Sequence, residues 1–212
     1  MGRAAVFVRF TGCNLWTGRE EHRANAICKF CDTDFVGTDG FNGGFYTAEE
    51  LAAVVHQQNP RERPGNMPPD AKRHWNPLVV FTGGEPMLQL DGRILEEVLK
   101  SGFNPCVETN GTISVPTSGP WQYLWVTVSP KAGTHWKQVI GDELKLVYLQ
   151  KALTPVYATA LIHQQGGKFA HWYLSPMDGP NLAEHTASAA RYVQDDHRWK
   201  LNIQAHKYWE LP

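Results

Sequence analysis

The stretch CNLWTGREEHRANAICKFCDTDF, residues 13 to 35, carries three of the four cysteines in this 212-residue chain. Fourteen residues separate Cys13 from Cys28, and two separate Cys28 from Cys31. In a reducing compartment, thiols gathered this way serve metal or redox chemistry more often than disulfides. Three uses compete. A structural zinc site would recruit His22 or Cys106 as fourth ligand, but the second close pair that usually accompanies CxxC is missing. An electron-transfer iron-sulfur centre would take Cys106 as its fourth thiolate, although that residue lies in an apolar run, where a lone cysteine is usually a small buried hydrophobe. A 4Fe-4S cluster on three thiolates would leave one iron open to bind a ligand directly.

Further polar or glycine-rich motifs follow directly on strand-like runs. TGC (11 to 13) follows AAVFVRF (4 to 10), TGGEP (82 to 86) follows LVVF (78 to 81), and ETNG (108 to 111) grows out of PCVE (105 to 108). SPK (129 to 131) follows YLWVTV (123 to 128), SPMD (175 to 178) follows HWYL (171 to 174), and QAHK (204 to 207) follows WKLNI (199 to 203). ELKLVY (143 to 148) is a further strand. Ligands bind at the carboxyl ends of parallel strands, so one face of such a sheet would collect all of these groups.

The elements that must position them alternate. TAEELAAVVHQQ (47 to 58) reads as a helix opened by a capping box of Thr47 and Glu50. DGRILEEVLKSG (91 to 102) is a second helix, stopped by Gly102, and NLAEHTASAARYVQDD (181 to 196) a third. Strands alternating with helices predict an α/β fold with a largely parallel sheet, barrel or open. The proline-rich and basic segment 59 to 77 reads as a solvated loop insertion.

Composition bounds the rest. With 42% hydrophobic residues, eight Trp, nine Phe and seven Tyr, the chain has ample material for one packed domain over residues 1 to 212. A net charge of -1 gives no footprint for nucleic acid, which favours a small-molecule substrate. No apolar run approaches the roughly 20 residues that cross a bilayer, and the opening GRAAVFVRF lacks the apolar core of a secretion signal. The expectation is a cytoplasmic enzyme without a membrane partner.

Cys28, Lys29, Phe30 and Cys31, together with Gly83, Gly84, Glu85 and Pro86 after a strand, resemble the radical S-adenosylmethionine enzymes. More narrowly, the cysteine stretch, TGGEPMLQLD, ETNG, VSPKAG, ELKLV, SPMDGP and QAHKYWELP, in that order, look like the 7-carboxy-7-deazaguanine synthases, a subgroup of which widens the first cysteine gap to fourteen residues. The resemblance runs from about residue 2 to the C-terminus.

It implies an incomplete, (β6/α3)-like relative of the TIM barrel and a homodimer. Cys13, Cys28 and Cys31 would ligate three irons, and S-adenosylmethionine the fourth. Phe30, Cys31 and Asp32 would line the adenine and ribose, and Gly84 would offer backbone to the methionyl amino group. Ser129, Pro130 and Lys131, and then Ser175, Pro176, Met177 and Asp178, would complete the cofactor site, although many relatives carry Gln at Ser175. The implied substrate is 6-carboxy-5,6,7,8-tetrahydropterin, contacted by Arg9, Thr82 and Pro212, with Glu108, Asn110 and His206 as further candidates. Thr33 matches a Mg²⁺ position, and an external one-electron reductant is implied. The alternatives are an activase of a glycyl radical enzyme and a non-catalytic module in which four cysteines close one metal site. Relatives generally begin with one more strand ending in a QGEG turn, and this chain opens at the strand after it, which bears on substrate affinity.

Overall fold

A computed structural model describes residues 3–58 and 76–204. Seven strands form one sheet in the order of the chain, every neighbouring pair parallel. They are β1 (Ala5–Phe10), β2 (Leu78–Gly83), β3 (Asn104–Thr109), β4 (Trp125–Val128), β5 (Ile140–Tyr148), β6 (Lys168–Pro176) and β7 (Trp199–Leu201). The sheet is open, and its seven strands are one more than the six that the resemblance implied.

The described α-helices are α1 (Ala48–Gln57), α2 (Gly92–Lys100), α3 (Pro155–Gln164) and α4 (Leu182–Asp195). α1 starts on the expected capping box, with Thr47 accepting from the Glu50 amide and Glu50 accepting from the Thr47 amide. α2 is capped by Asp91, which accepts from Ile94 N at 2.9 Å. The pattern reading missed α3. It is apolar on several sides, with Ala158, Thr159 and Ile162 all buried, so no amphipathic stripe announces it. Its start was nevertheless written in the chain, since Thr154 caps the Tyr157 amide and Pro155 occupies the first turn.

Side chains alternate across each strand, and the register sorts them into two faces. One face is the core, where Val8 lies beside Phe81, Phe81 beside Val107, Val107 beside Val126, and Leu146 beside Leu174. Helix residues Ala52, Val55, Leu95, Val98, Ala158, Ile162 and Ala189 join the same buried cluster. The other face is polar. Arg9 pairs with Thr82; Glu108 with Thr127, Thr127 with Glu143 and Glu143 with His171; Lys145 with Tyr173 and Tyr173 with Lys200. Each strand therefore contributes to this row, which leads toward the carboxyl ends where the motifs sit.

Candidate active site

The turn after β1 is bolted to the turn after β2. Gly84 N donates to Phe10 O at 3.0 Å, and Glu85 N donates to Gly12 O at 2.9 Å. A Cβ on Gly84 would lie 1.9 Å from Gly12 O, so the glycine is required by the approach of two backbones. Glu85 is fully buried. Its carboxylate accepts from Thr109 Oγ1 at 2.7 Å, Asn110 N at 2.7 Å and Met87 N at 3.0 Å. Burial pushes its pKa above the usual carboxylate range, against the pull of those three donors. Asn110, a candidate ligand contact in the sequence, knits the third turn to the first: its Nδ2 donates to Asn14 Oδ1 at 2.9 Å, while Thr112 donates to its Oδ1.

The three cysteines share this mouth as free thiols. The neighbouring Cys28 and Cys31 thiols act on each other, which lowers Cys31 and raises Cys28 from the ordinary thiol value. Cys13 is raised chiefly by burial, and it feels the charges of Glu85 and Cys31. The fourteen residues before Cys28 form a folded lobe. Leu15, Trp16 and Phe35 are buried, Trp16 meets Phe35 edge to face at 5.6 Å, and Leu15 O accepts from both Ile27 N and Cys28 N. Phe30 and Thr33 are half-buried in the same loop. Asp32 accepts from Gln204 Nε2 at 3.0 Å, which links the loop to the chain after β7.

The charge of Lys131, from the turn after β4, is felt by Cys28 and Cys31. Burial lowers its basicity, while the charges of Cys28, Cys31 and Glu85 oppose that shift. Its ammonium donates to Ser129 O and, at 2.9 Å, to Ser129 Oγ. Gln150, which the sequence reading passed over, secures this turn. Its Nε2 donates to Pro130 O at 3.3 Å and Val147 O at 3.1 Å, and its Oε1 accepts from Ala132 N at 2.9 Å. The turn after β6 is held likewise: Asn202 Nδ2 donates to Ser175 Oγ at 3.1 Å, and Met177 O sits 2.9 Å from His185 Nδ1. Pro176 is buried, and Asp178 is half-buried at the same end.

On the polar face below the mouth, Lys145 Nζ lies 2.6 Å from Glu108 Oε1. The charges of Lys145, and more weakly of Lys131 and Arg9, hold the Glu108 carboxyl below the usual range. Cys106 sits on this face beside Val80 and Trp125, toward the amino ends of the strands. Burial pushes its thiol up to about 11, and the charges that reach it are Arg3, Glu143, Asp142 and Glu108, none of them a cysteine. The place of Cys106 toward the amino ends of the strands, away from the mouth, does not favour a site closed by all four cysteines. Pro212 and His206 lie outside the described residues.

No protein-family model matches the chain. It is 48% identical to the 7-carboxy-7-deazaguanine synthase of Caulobacter vibrioides, covering 100% of this chain and 91% of that protein. It is 46% identical, with the same coverage, to the 7-carboxy-7-deazaguanine synthase of Bordetella pertussis. The chain belongs to the 7-carboxy-7-deazaguanine synthase family. The fold agrees: the crystal structure of QueE from Escherichia coli superposes with a TM-score of 0.61 over 96% of this chain and 86% of that one, at 21% identity.

Membership in the 7-carboxy-7-deazaguanine synthase family implies a 4Fe-4S cluster and S-adenosylmethionine. The donor set here fits the cluster. Three free thiols stand at one mouth, and among the described residues no three His, Cys, Asp or Glu side chains converge closely enough to share a single metal ion. A cluster accepts that spread because each iron takes its own thiolate. The mouth thus gathers Cys13, Cys28, Cys31, Gly84, Ser129 and Lys131, with Arg9, Thr82 and Glu108 on the sheet face beneath it.

Proposed function

We propose that this chain is a radical S-adenosylmethionine enzyme that converts 6-carboxy-5,6,7,8-tetrahydropterin to 7-carboxy-7-deazaguanine with loss of ammonia. The supporting observation is the meeting at one mouth of three free thiols with a half-buried lysine, above a polar sheet face that carries Arg9, Thr82 and Glu108. Cys13, Cys28 and Cys31 would hold the cluster. Phe30, Asp32, Gly84, the Ser129 to Lys131 turn and the Ser175 to Asp178 turn would seat the cofactor. When bound, the cluster and S-adenosylmethionine supply one-electron cleavage of a sulfonium carbon-sulfur bond, the origin of the radical chemistry.

The chain's own part is placement. Arg9 presents a planar fork to the substrate carboxylate, with Thr82 beside it on the neighbouring strand. Glu108, kept ionised by Lys145, accepts hydrogen bonds from the pterin ring nitrogens. Thr33 would offer its hydroxyl to a Mg²⁺ that keeps waters and substrate oxygens as its other ligands. A homodimer, an external one-electron reductant and a cytoplasmic setting complete the reading.

The test is anaerobic reconstitution followed by iron counting, EPR with and without S-adenosylmethionine, and mass analysis of the product from the carboxypterin. Four irons per chain, a spectrum that changes with S-adenosylmethionine, and the deazaguanine acid are expected. Iron without a cofactor response, or iron lost on Cys106→Ala substitution, would restore the four-cysteine module. A cofactor response without this product would point to another radical reaction, such as activation of a glycyl radical enzyme.

A further inference from the structure

Arg23 lies in a 3-10 segment, Glu20–Asn25, midway along the fourteen residues between Cys13 and Cys28. Its Nη1 donates to Lys29 O at 3.1 Å and to Cys31 O at 3.2 Å, so one guanidinium ties down two carbonyls of the CKFC segment. Its plane rests on the ring of buried Trp16, with Cζ 4.0 Å from the centroid. Its Nε lies 2.7 Å from each oxygen of Glu20, whose side chain is 75% exposed. The cation is thus fixed by three independent contacts, against the loop that bears two of the three thiols. Arg suits this task where Lys would not, because a planar fork can stack and donate at once.

We propose that Arg23 is a positioning residue that sets both the hold on the cluster and its reduction potential, with Glu20 as its counter-charge. The inference rests on the cluster reading above. Uptake of one electron from an external donor makes the cluster more negative, and a fixed neighbouring cation favours that state. Cluster potentials respond to net charge and hydrogen bonding around the sulfurs. The long gap between Cys13 and Cys28 therefore supplies a charge that three or four residues could not carry. Lys131 adds charge to the same thiols from the β4 side.

The experiment compares full-length wild type, Arg23→Gln, Arg23→Lys and Glu20→Gln after anaerobic reconstitution. It reads iron per chain, iron retained under a chelator, and the midpoint of an EPR-monitored titration with dithionite. Arg23→Gln should move the midpoint negative and shed iron faster. Glu20→Gln, which leaves the carbonyl hydrogen bonds in place, should move it positive. Arg23→Lys should lie nearer to wild type in midpoint than Arg23→Gln while still losing iron faster than wild type. Should Arg23→Gln fail to fold, the positive shift in Glu20→Gln carries the test alone. Unmoved midpoints, or shifts of one sign in both variants, would overturn the proposal and leave the cluster reading standing. Wild type that takes up no iron would sink the cluster reading and this inference with it.

Discussion

Lys145 on β5 reaches across β4 to hold Glu108 on β3, Nζ to Oε1 at 2.6 Å. Lys145 lowers the Glu108 pKa, so this carboxylate stabilises the fold above its unfolded pKa and stops doing so as pH falls through its folded pKa. Glu108→Gln should therefore cost about 1 kcal/mol near neutral pH, discounted for partial exposure. That cost should fade below about pH 4, where an unfolded Glu is itself protonated. Urea midpoints of both proteins between acid and neutral pH check this, and a difference that grows on acidification would refute it.

Glu85 is raised by burial, so its charge opposes folding as pH climbs through the folded value, while its hydrogen bonds favour it. Glu85→Gln removes the charge but turns a donor toward the Asn110 amide, leaving a buried N–H without an acceptor. The expected loss is roughly 1–3 kcal/mol in denaturant melts of the apo-protein. A stabilised variant would mean that desolvation outweighs the three hydrogen bonds.

Two glycines at the same mouth should behave differently. Gly84→Ala puts a methyl 1.9 Å from Gly12 O, so the turns must part, and iron uptake should collapse along with stability. Gly12 has open space around it and a φ of +80°. Its replacement by Ala carries only the left-handed strain of about 1 kcal/mol, and the variant should still take up iron. Iron counting on both variants settles the contrast.

Gln150 is buried, and three polar backbone groups depend on it, two in the turn after β4 and one near the end of β5. Gln150→Leu should destabilise by about 2–4 kcal/mol through unpaired buried groups. It should also weaken S-adenosylmethionine binding, because the Ser129 to Lys131 turn loses its anchor. A spectral titration with the cofactor on reconstituted protein measures the second effect.

Much of this was legible in the chain. The polar motifs follow strands, and parallel strands put such motifs on one face, so the mouth could be assembled before any coordinates. The α1 capping box was readable for the same reason, being a local rule. Helix α3 was not, because burial on several sides erases the stripe that periodicity detects. Gln150 escaped because a glutamine two residues past a strand carries no signal of its own; its role comes from a carbonyl twenty residues away and an amide eighteen away in sequence. The hydrogen bond of Asn110 to Asn14 was not legible either: the two are 96 residues apart, and only the register of β1 to β3 brings them together. The Lys145 and Glu108 pair was likewise invisible: Glu108 was read as a ligand candidate and Lys145 only as part of a strand, and their pairing depends on β4 lying between β3 and β5.

Because each strand pairs only with its neighbours in chain order, the sheet can grow as the polypeptide leaves the ribosome. The thiol-bearing loop emerges early, yet its anchors, Glu85 and Asn110, come much later. At about 5–20 residues per second, the nascent thiols stay untethered for several seconds, a window in which oxygen or stray metal competes with maturation of the site.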